Sequence, residues 1–238
     1  MKKKILLNLI CTNKYTDFLP RICESTEKFF FPDHEVSILI HTNKELKDLD
    51  QEYPRLNFHF HSIDHPGWPE ITLYRFHYFS QCRSLLEAHD YCFYIDVDSI
   101  FIKIIDESIL PPEGMIGTIH PGLYVGEGTP ERNPQSLAHI PYGSGNDYFC
   151  GGFFGGSSQR FISMAQNLKE AIDNDKSRGI VAIWHDESHL NKYFFTHRPE
   201  MILRHPFAGA ESLTPTNTHS RVWFLDKNLL GGHNYFRS

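Results

Sequence analysis

Up to Phe101 the chain repeats one pattern: a short block of consecutive apolar residues, then a longer stretch in which apolar and polar residues mix. Lys4 to Cys11, Glu35 to His41 and Tyr91 to Ile95 are blocks of the first kind. They are too short for a typical helix and read as strands buried on both faces. A further short strand is expected from Asn57 to His61, after the turn-prone Glu52-Tyr53-Pro54. The segments from about Asp17 to Phe30 and from Ile71 to Ala88 predict helices, the second entered from a loop at Pro66-Gly67-Trp68-Pro69. This alternation predicts a parallel α/β sheet with a nucleotide-binding crevice at the carboxyl ends of its strands. Past Phe101 the pattern changes. From Pro111 to Gly156 the chain is rich in Gly and Pro, as loops that wall a site are. Helices are predicted from Arg160 to about Asn174 and from His185 to Phe195, followed by an irregular, polar tail from His205.

The Tyr91–Ile95 block runs directly into Asp96-Val97-Asp98. In extended backbone, residues two apart point to the same side, so the two carboxylates converge. Like charges held together are costly unless a cation shares them. A strand ending in paired acids suits a divalent metal held against a diphosphate; two solvated acids in a turn would leave the same trace in the sequence.

Composition narrows the class without choosing a function. With 40% hydrophobic and 22% charged residues the chain reads as an ordinary soluble globular protein. A net charge of -6 and the absence of a basic stripe argue against nucleic-acid binding. Five scattered cysteines without a C-x-x-C point to reduced thiols rather than disulfides or a zinc site, and Cys11, Cys82 and Cys92 are expected in the core. The run after Lys2-Lys3-Lys4 is too short, and too soon interrupted by Asn8, for a signal peptide, and no apolar stretch has the length of a membrane span. A cytoplasmic location is the expectation.

Two later stretches carry candidate chemistry. Tyr148 to Ser157 interleaves aromatics with the pairs Gly151-Gly152 and Gly155-Gly156. Glycines admit close approach of a ligand and aromatics supply flat walls, yet a glycine-kinked strand accounts for the same residues equally well. Trp184-His185-Asp186-Glu187-Ser188-His189 places two imidazoles four residues apart, the spacing of zinc ligands on a helix. The metallopeptidase order needs Glu directly after the first His, where this chain has Asp186. A polar sugar-binding floor at a helix start suits these residues better, with the acids favoured by the helix dipole; an acidic capping turn explains Asp186 alone.

Taken together these stretches resemble glycosyltransferase family 6, the retaining α1,3-galactosyl- and N-acetylgalactosaminyltransferases that include the histo-blood-group A and B enzymes. The matching residues are Asn13-Lys14-Tyr15 with Phe18-Leu19, Trp68 with Arg75, Tyr94 to Asp98, His120 to Tyr124, Pro134-Gln135-Ser136 with Ile140-Pro141, Tyr148 to Ser157, and Trp184 to Tyr193. They fall in the family's order across roughly residues 5–200, and the last block is the most specific.

The resemblance implies a GT-A fold, a Rossmann-like mixed α/β sheet with flanking helices, in one catalytic domain over 1–238. Residues 1–101 would form mainly the UDP-binding half, 102–200 the donor-sugar and acceptor half, and 201–238 a C-terminal tail. It implies a UDP-GalNAc or UDP-Gal donor and a glycan acceptor with terminal galactose, fucosylated or not. Tyr15 would stack on uracil, with Ile10, Cys11 and Thr12 along the uridine and Val97 beside it. Asp96 and Asp98 would hold Mn²⁺, or Mg²⁺, on the diphosphate, with Arg75 near the metal and the sugar. Cys150 and Gly152 would shape the pocket at the sugar's C2 substituent, where small residues leave room for an N-acetyl group, with Gly151 also on the donor sugar. His120, Gly122, Trp184 and Asp186 would face the acceptor, Asp186 also the donor sugar, and Glu187 matches the family's proposed nucleophile. Lys227 and Arg237 are the tail's candidates for the diphosphate.

Two departures from the family stand out: the tail after Met201 matches poorly, and the amino-terminal end differs. No membrane anchor and stem like those of the vertebrate enzymes is apparent, which resembles the short bacterial or phage type. Many of those carry Asn-x-Asn in place of the acids and work without metal, whereas this chain keeps Asp96 and Asp98. The expected reaction is retaining, metal-dependent α1,3 transfer. The competing readings are a catalytically idle sugar-binding protein on the same scaffold and, remotely, a zinc hydrolase.

Overall fold

The computed structural model describes residues 1–123, 126–144, 147–213 and 219–237. Its strands are β1 (Lys4–Ile10), β2 (Glu35–Thr42), β3 (Leu56–Ser62), β4 (Tyr91–Ile95), β5 (Ser99–Phe101), β6 (Met115–Ile119), β7 (Phe149–Ser157), β8 (Met201–Leu203), β9 (Ala208–Ala210) and β10 (Val222–Phe224). Its helices are α1 (Leu19–Phe29), α2 (Leu49–Glu52), α3 (Glu70–Leu73), α4 (Arg75–Gln81), α5 (Arg83–Glu87), α6 (Ser158–Ser177), α7 (His185–Thr196) and α8 (His233–Arg237).

Seven strands form one sheet in the order β3-β2-β1-β4-β7-β6-β8. β3, β2, β1 and β4 run parallel. β7 is antiparallel to both β4 and β6, which makes the sheet mixed rather than parallel throughout. Both faces are covered, which is why β4 reads as an unbroken apolar run and β1 as one interrupted only by the buried Asn8. Ile5, Leu7 and Leu9 of β1 pack with α1 and the tail's Val222 and Phe236 on one face. Leu6 joins Phe76 and Phe79 of α4, Phe161 and Leu168 of α6 and Leu190 of α7 on the other.

Three expectations change. The Gly/Pro-rich stretch contains two core strands, β6 and β7, because the glycines serve close packing there: a Cβ on Gly155 would come 2.4 Å from the Phe93 ring. The long helix expected before β4 is three short ones, interrupted at Tyr74 and Cys82. The tail is organised rather than irregular. β10 pairs antiparallel with β5 and parallel with β9, laying the tail directly against the residues that follow Asp98.

Candidate active site

The carboxyl ends of β1 and β4 open into one cleft lined by Ile10, Thr12, Tyr15, Arg75, Val97, Asp98 and Lys227, among others. Thr12 and Tyr15 sit where β1 gives way to a 3₁₀ turn, Asn13–Phe18. Cys11 does not reach the cleft. It points into the core beneath, 0% exposed, and only its backbone N–H is engaged, on the His41 carbonyl at 2.9 Å. The strand's alternation aims residues 10 and 12 one way and residue 11 the other. The sequence reading missed His65, whose Nδ1 lies 2.9 Å from Thr12 Oγ1, and His233, which also lines the cleft. Neither sits in a regular pattern that would have singled it out.

Asp96 and Asp98 do meet in this cleft, and each already has a cation. The Arg75 guanidinium is buried, with Nη2 3.2 Å from Asp186 Oδ2 and 3.6 Å from Asp96 Oδ1, and it lies 4.1 Å from the centre of the Tyr94 ring. Burial opposes its charge, but Asp186, Tyr94 and Asp96 hold it above the usual arginine range. Tyr94 Oη donates to Asp96 Oδ1 at 2.7 Å, and Lys227 Nζ donates to Asp98 Oδ2. Burial pushes Asp96 up, Arg75 opposes this, and repulsion from Asp98 adds to the rise. These hard oxygens fit Mn²⁺ or Mg²⁺. No third carboxylate completes a protein cage among the described residues, so diphosphate and water would supply the remaining ligands. Lys227 occupies one of the Asp98 oxygens such an ion would use.

Beside the acids β7 leaves its ladder with β6. Gly117 pairs with Phe154 and Ile119 with Phe149, so the single residue Thr118 on β6 stands opposite four on β7, Cys150-Gly151-Gly152-Phe153, in a bulge. The peptide groups freed by the bulge bind the site. Gly151 N–H donates to Glu187 Oε2 at 2.7 Å and the Gly151 carbonyl accepts from Arg75 Nη1; on the strand's other edge the Gly152 carbonyl extends the β4 ladder, accepting from Asp96 N–H at 2.9 Å. Tyr148 Oη donates to Glu187 Oε1 at 2.7 Å. Asn191 braces the helix behind: its amide bonds both backbone groups of Phe149 at 2.8 Å and the Glu187 carbonyl at 3.0 Å. Burial raises Glu187, while Gly151 N–H and Tyr148 Oη pull it down. Burial takes Asp186 up to about 7, with Arg75 opposing and Glu187 and Asp96 adding to the rise.

Gly152 leaves no open room. A Cβ there would stand 2.5 Å from Phe224 Cε1 of β10 and 3.1 Å from Asp96 Oδ2, so the space expected beside it is filled by the tail. At Gly151 a Cβ would make ordinary contacts, 3.4 Å to Glu187 and Arg75. Cys150 is buried.

His120, Gly122 and Trp184 lie on the flank beyond Glu187. The His120 ring is 5.9 Å from that of Tyr148, its Nδ1 accepts from Gly122 N–H at 3.1 Å, and Leu213 lies over Gly122. Trp184 is half exposed, donating from Nε1 to Thr129 Oγ1 at 2.9 Å. The imidazoles of the same block diverge. His185 sits edge-on to Trp68, ring centres 5.0 Å apart, and His189 is buried with Nε2 3.6 Å from Asp175 Oδ2, so they form no shared metal site. The side chain of Arg237 and all of Tyr124 lie outside the described residues.

Residues 1–222 match the family model described as Glycosyltransferase family 6. The chain belongs to that family. Among its relatives, Histo-blood group ABO system transferase 2 of Rattus norvegicus is 33% identical over 205 residues, 83% of this chain and 60% of that protein. Globoside alpha-1,3-N-acetylgalactosaminyltransferase 1 of Gallus gallus is 32% identical over 198 residues, 80% of this chain and 57% of that protein. O-antigen biosynthesis glycosyltransferase WbnI of Escherichia coli is 28% identical over 202 residues, covering 81% and 82%. The match thus spans about three-fifths of the two longer relatives. The mixed sheet with flanking helices is consistent with the GT-A-like fold expected of this family, and among the described residues no helix is long and apolar enough to cross a membrane.

Proposed function

We propose that this family 6 chain is a glycosyltransferase that moves N-acetylgalactosamine, or less readily galactose, from UDP to a galactoside hydroxyl in α1,3 linkage with retention. The observation that carries the reading is the meeting of Asp96 and Asp98 with Glu187 across the Gly151-Gly152 bulge. In this arrangement Tyr15, Ile10 and Thr12 take the uridine, and Arg75 ties Asp96, Asp186 and the bulge into one rigid frame. A divalent cation on Asp96 and Asp98 would neutralise charge on the departing diphosphate. Lys227 adds a second positive charge on the same side. Glu187 stands opposite, fixed through both oxygens, where a carboxylate stabilises positive charge at the anomeric carbon. Asp186 orients sugar hydroxyls, and His120, Gly122 and Trp184 form the acceptor flank.

The N-acetyl preference is supported by the small thiol side chain of Cys150, the lack of a side chain at Gly151 and the activity in the name of the Gallus gallus relative. One pocket wall discriminates by about 1–3 kcal/mol, so transfer from the second donor persists. The test is UDP release from UDP-GalNAc and UDP-Gal, with fucosylated and unfucosylated β-galactosides, and NMR of the product linkage. Acceptor-dependent release and an α1,3 product are expected. Donor binding without acceptor-dependent release identifies an idle sugar-nucleotide binder instead.

A further inference from the structure

Behind the cleft, on the face of the sheet covered by α4, lies a group of side chains that sugar transfer does not use. His41 near the end of β2 and His61 near the end of β3 are register partners in the parallel ladder. Their imidazoles stand edge to face, Nδ1 to Nδ1 at 2.9 Å. Cys82, the residue that ends α4, completes the group: one ring nitrogen from each histidine and the Cys82 Sγ lie within 4.8 Å of one another. Among the described residues no other three His, Cys, Asp or Glu side chains come this close.

Two details mark a built site rather than a chance polar cluster. First, His41 is 0% exposed, with Tyr78 and Phe79 ring centres at 6.1 and 5.7 Å, and its Nε2 has no hydrogen-bond partner. A polar ring sealed among aromatics is costly unless a strong partner holds it, and with Nε2 unanswered the partnered nitrogen is Nδ1, which faces His61. Second, when two Nδ1 atoms share a hydrogen bond one must be a bare acceptor. A metal ion between the rings would take a lone pair from each.

Donor chemistry selects the ion. Two imidazoles and a thiolate are a borderline-soft set, suited to Zn²⁺ with water in the fourth tetrahedral position. The carboxylate pair Asp96 and Asp98 suits a harder ion, so ligand type separates the two sites. Tetrahedral zinc with bonds of about 2.0–2.3 Å sets its ligand atoms roughly 3.3–3.7 Å apart. The two Nδ1 atoms, at 2.9 Å, would therefore part slightly and the Cys82 Sγ, within 4.8 Å, would move in. A swing of Cys82, half-buried at a helix end, closes that gap.

We propose that His41, His61 and Cys82 form a three-ligand zinc site, its fourth position left to water, that clamps the ends of β2 and β3 to α4. The clamp bears on the cleft from behind. α4 begins at Arg75, and the chain after His61 runs through His65, on Thr12, to Trp68 at the cleft wall.

Co²⁺, a spectroscopic stand-in for Zn²⁺, tests this on the full chain, reduced and stripped of metal, with excess Mg²⁺ present to occupy carboxylates. A thiolate-to-cobalt charge-transfer band saturating at one equivalent is expected, displaced by Zn²⁺ and absent in Cys82→Ser. His61→Gln, on the edge strand, keeps the thiol and should bind Co²⁺ about tenfold or more weakly. Zn²⁺ should raise the melting temperature of the wild type and leave Cys82→Ser unmoved. Absence of the band from the wild type, or its survival in Cys82→Ser, overturns the proposal.

Discussion

Glu187 is held at two points, by a phenol on one oxygen and a backbone N–H on the other. Both bonds favour the ionised form against burial. Glu187→Gln keeps the shape, removes the charge, and leaves only one amide oxygen to accept from two donors. We expect kcat to fall by a factor of about 10²–10⁴ with UDP affinity nearly unchanged; near wild-type kcat would reduce Glu187 to part of the pocket wall. At this scale the sequence was most informative where chemistry is packed into a few consecutive residues. Asp96-Val97-Asp98 and Trp184 to Glu187 were legible because each sits at the end or start of a recognisable element. Cys11 was expected in the core and lies there; the uridine role that the resemblance implied does not suit its side chain, because one step along a strand reverses the direction of a side chain. The His41–His61–Cys82 group was invisible for another reason: residues far apart in sequence meet only through the β2–β3 register and the end of α4.

Elements built of apolar runs were read close to their observed bounds, since burial on both faces leaves a plain trace. The bulge in β7 and the path of the tail were not, because each depends on a partner. Gly152 shows the connection: its missing side chain is what lets Phe224 of β10 lie against β7 and Asp96. Inserting a methyl group into such a contact typically costs about 1–3 kcal/mol. Gly152→Ala is therefore expected to push the Phe224 ring outward and loosen β10 and the lysine that follows it, lowering kcat/KM for both donors rather than redirecting the enzyme to galactose. Phe224→Ala should recover part of the loss in the double variant, because the two changes share one contact. Activities of the two single variants and the double variant measure the coupling; strict additivity, or a clean switch to UDP-Gal, would contradict it.

Across the whole molecule, the cleft gathers Asp96, Asp98, Asp186 and Glu187 against Arg75 and Lys227, leaving negative charge in excess before any diphosphate arrives. A diphosphate adds more of the same sign, so a divalent cation brings the complex closer to neutrality. Lys227 comes from the opposite end of the chain and is raised above its usual range, burial opposing and Asp98 favouring the shift. On the proposed function its ammonium and a metal ion would compete for the same Asp98 carboxylate. Lys227→Ala should therefore tighten Mn²⁺ binding to the ligand-free chain, by about tenfold if the pair contributes about 1.4 kcal/mol, while lowering kcat because the diphosphate loses a positive partner. Calorimetric titration of Mn²⁺ into wild type and variant reads the first effect, and UDP release reads the second. Exhaustive chelation should stop turnover in the wild type. Equal Mn²⁺ affinity in the two proteins would show that Lys227 and the ion do not share Asp98, and full turnover after chelation would show that Lys227 and Arg75 suffice without a metal.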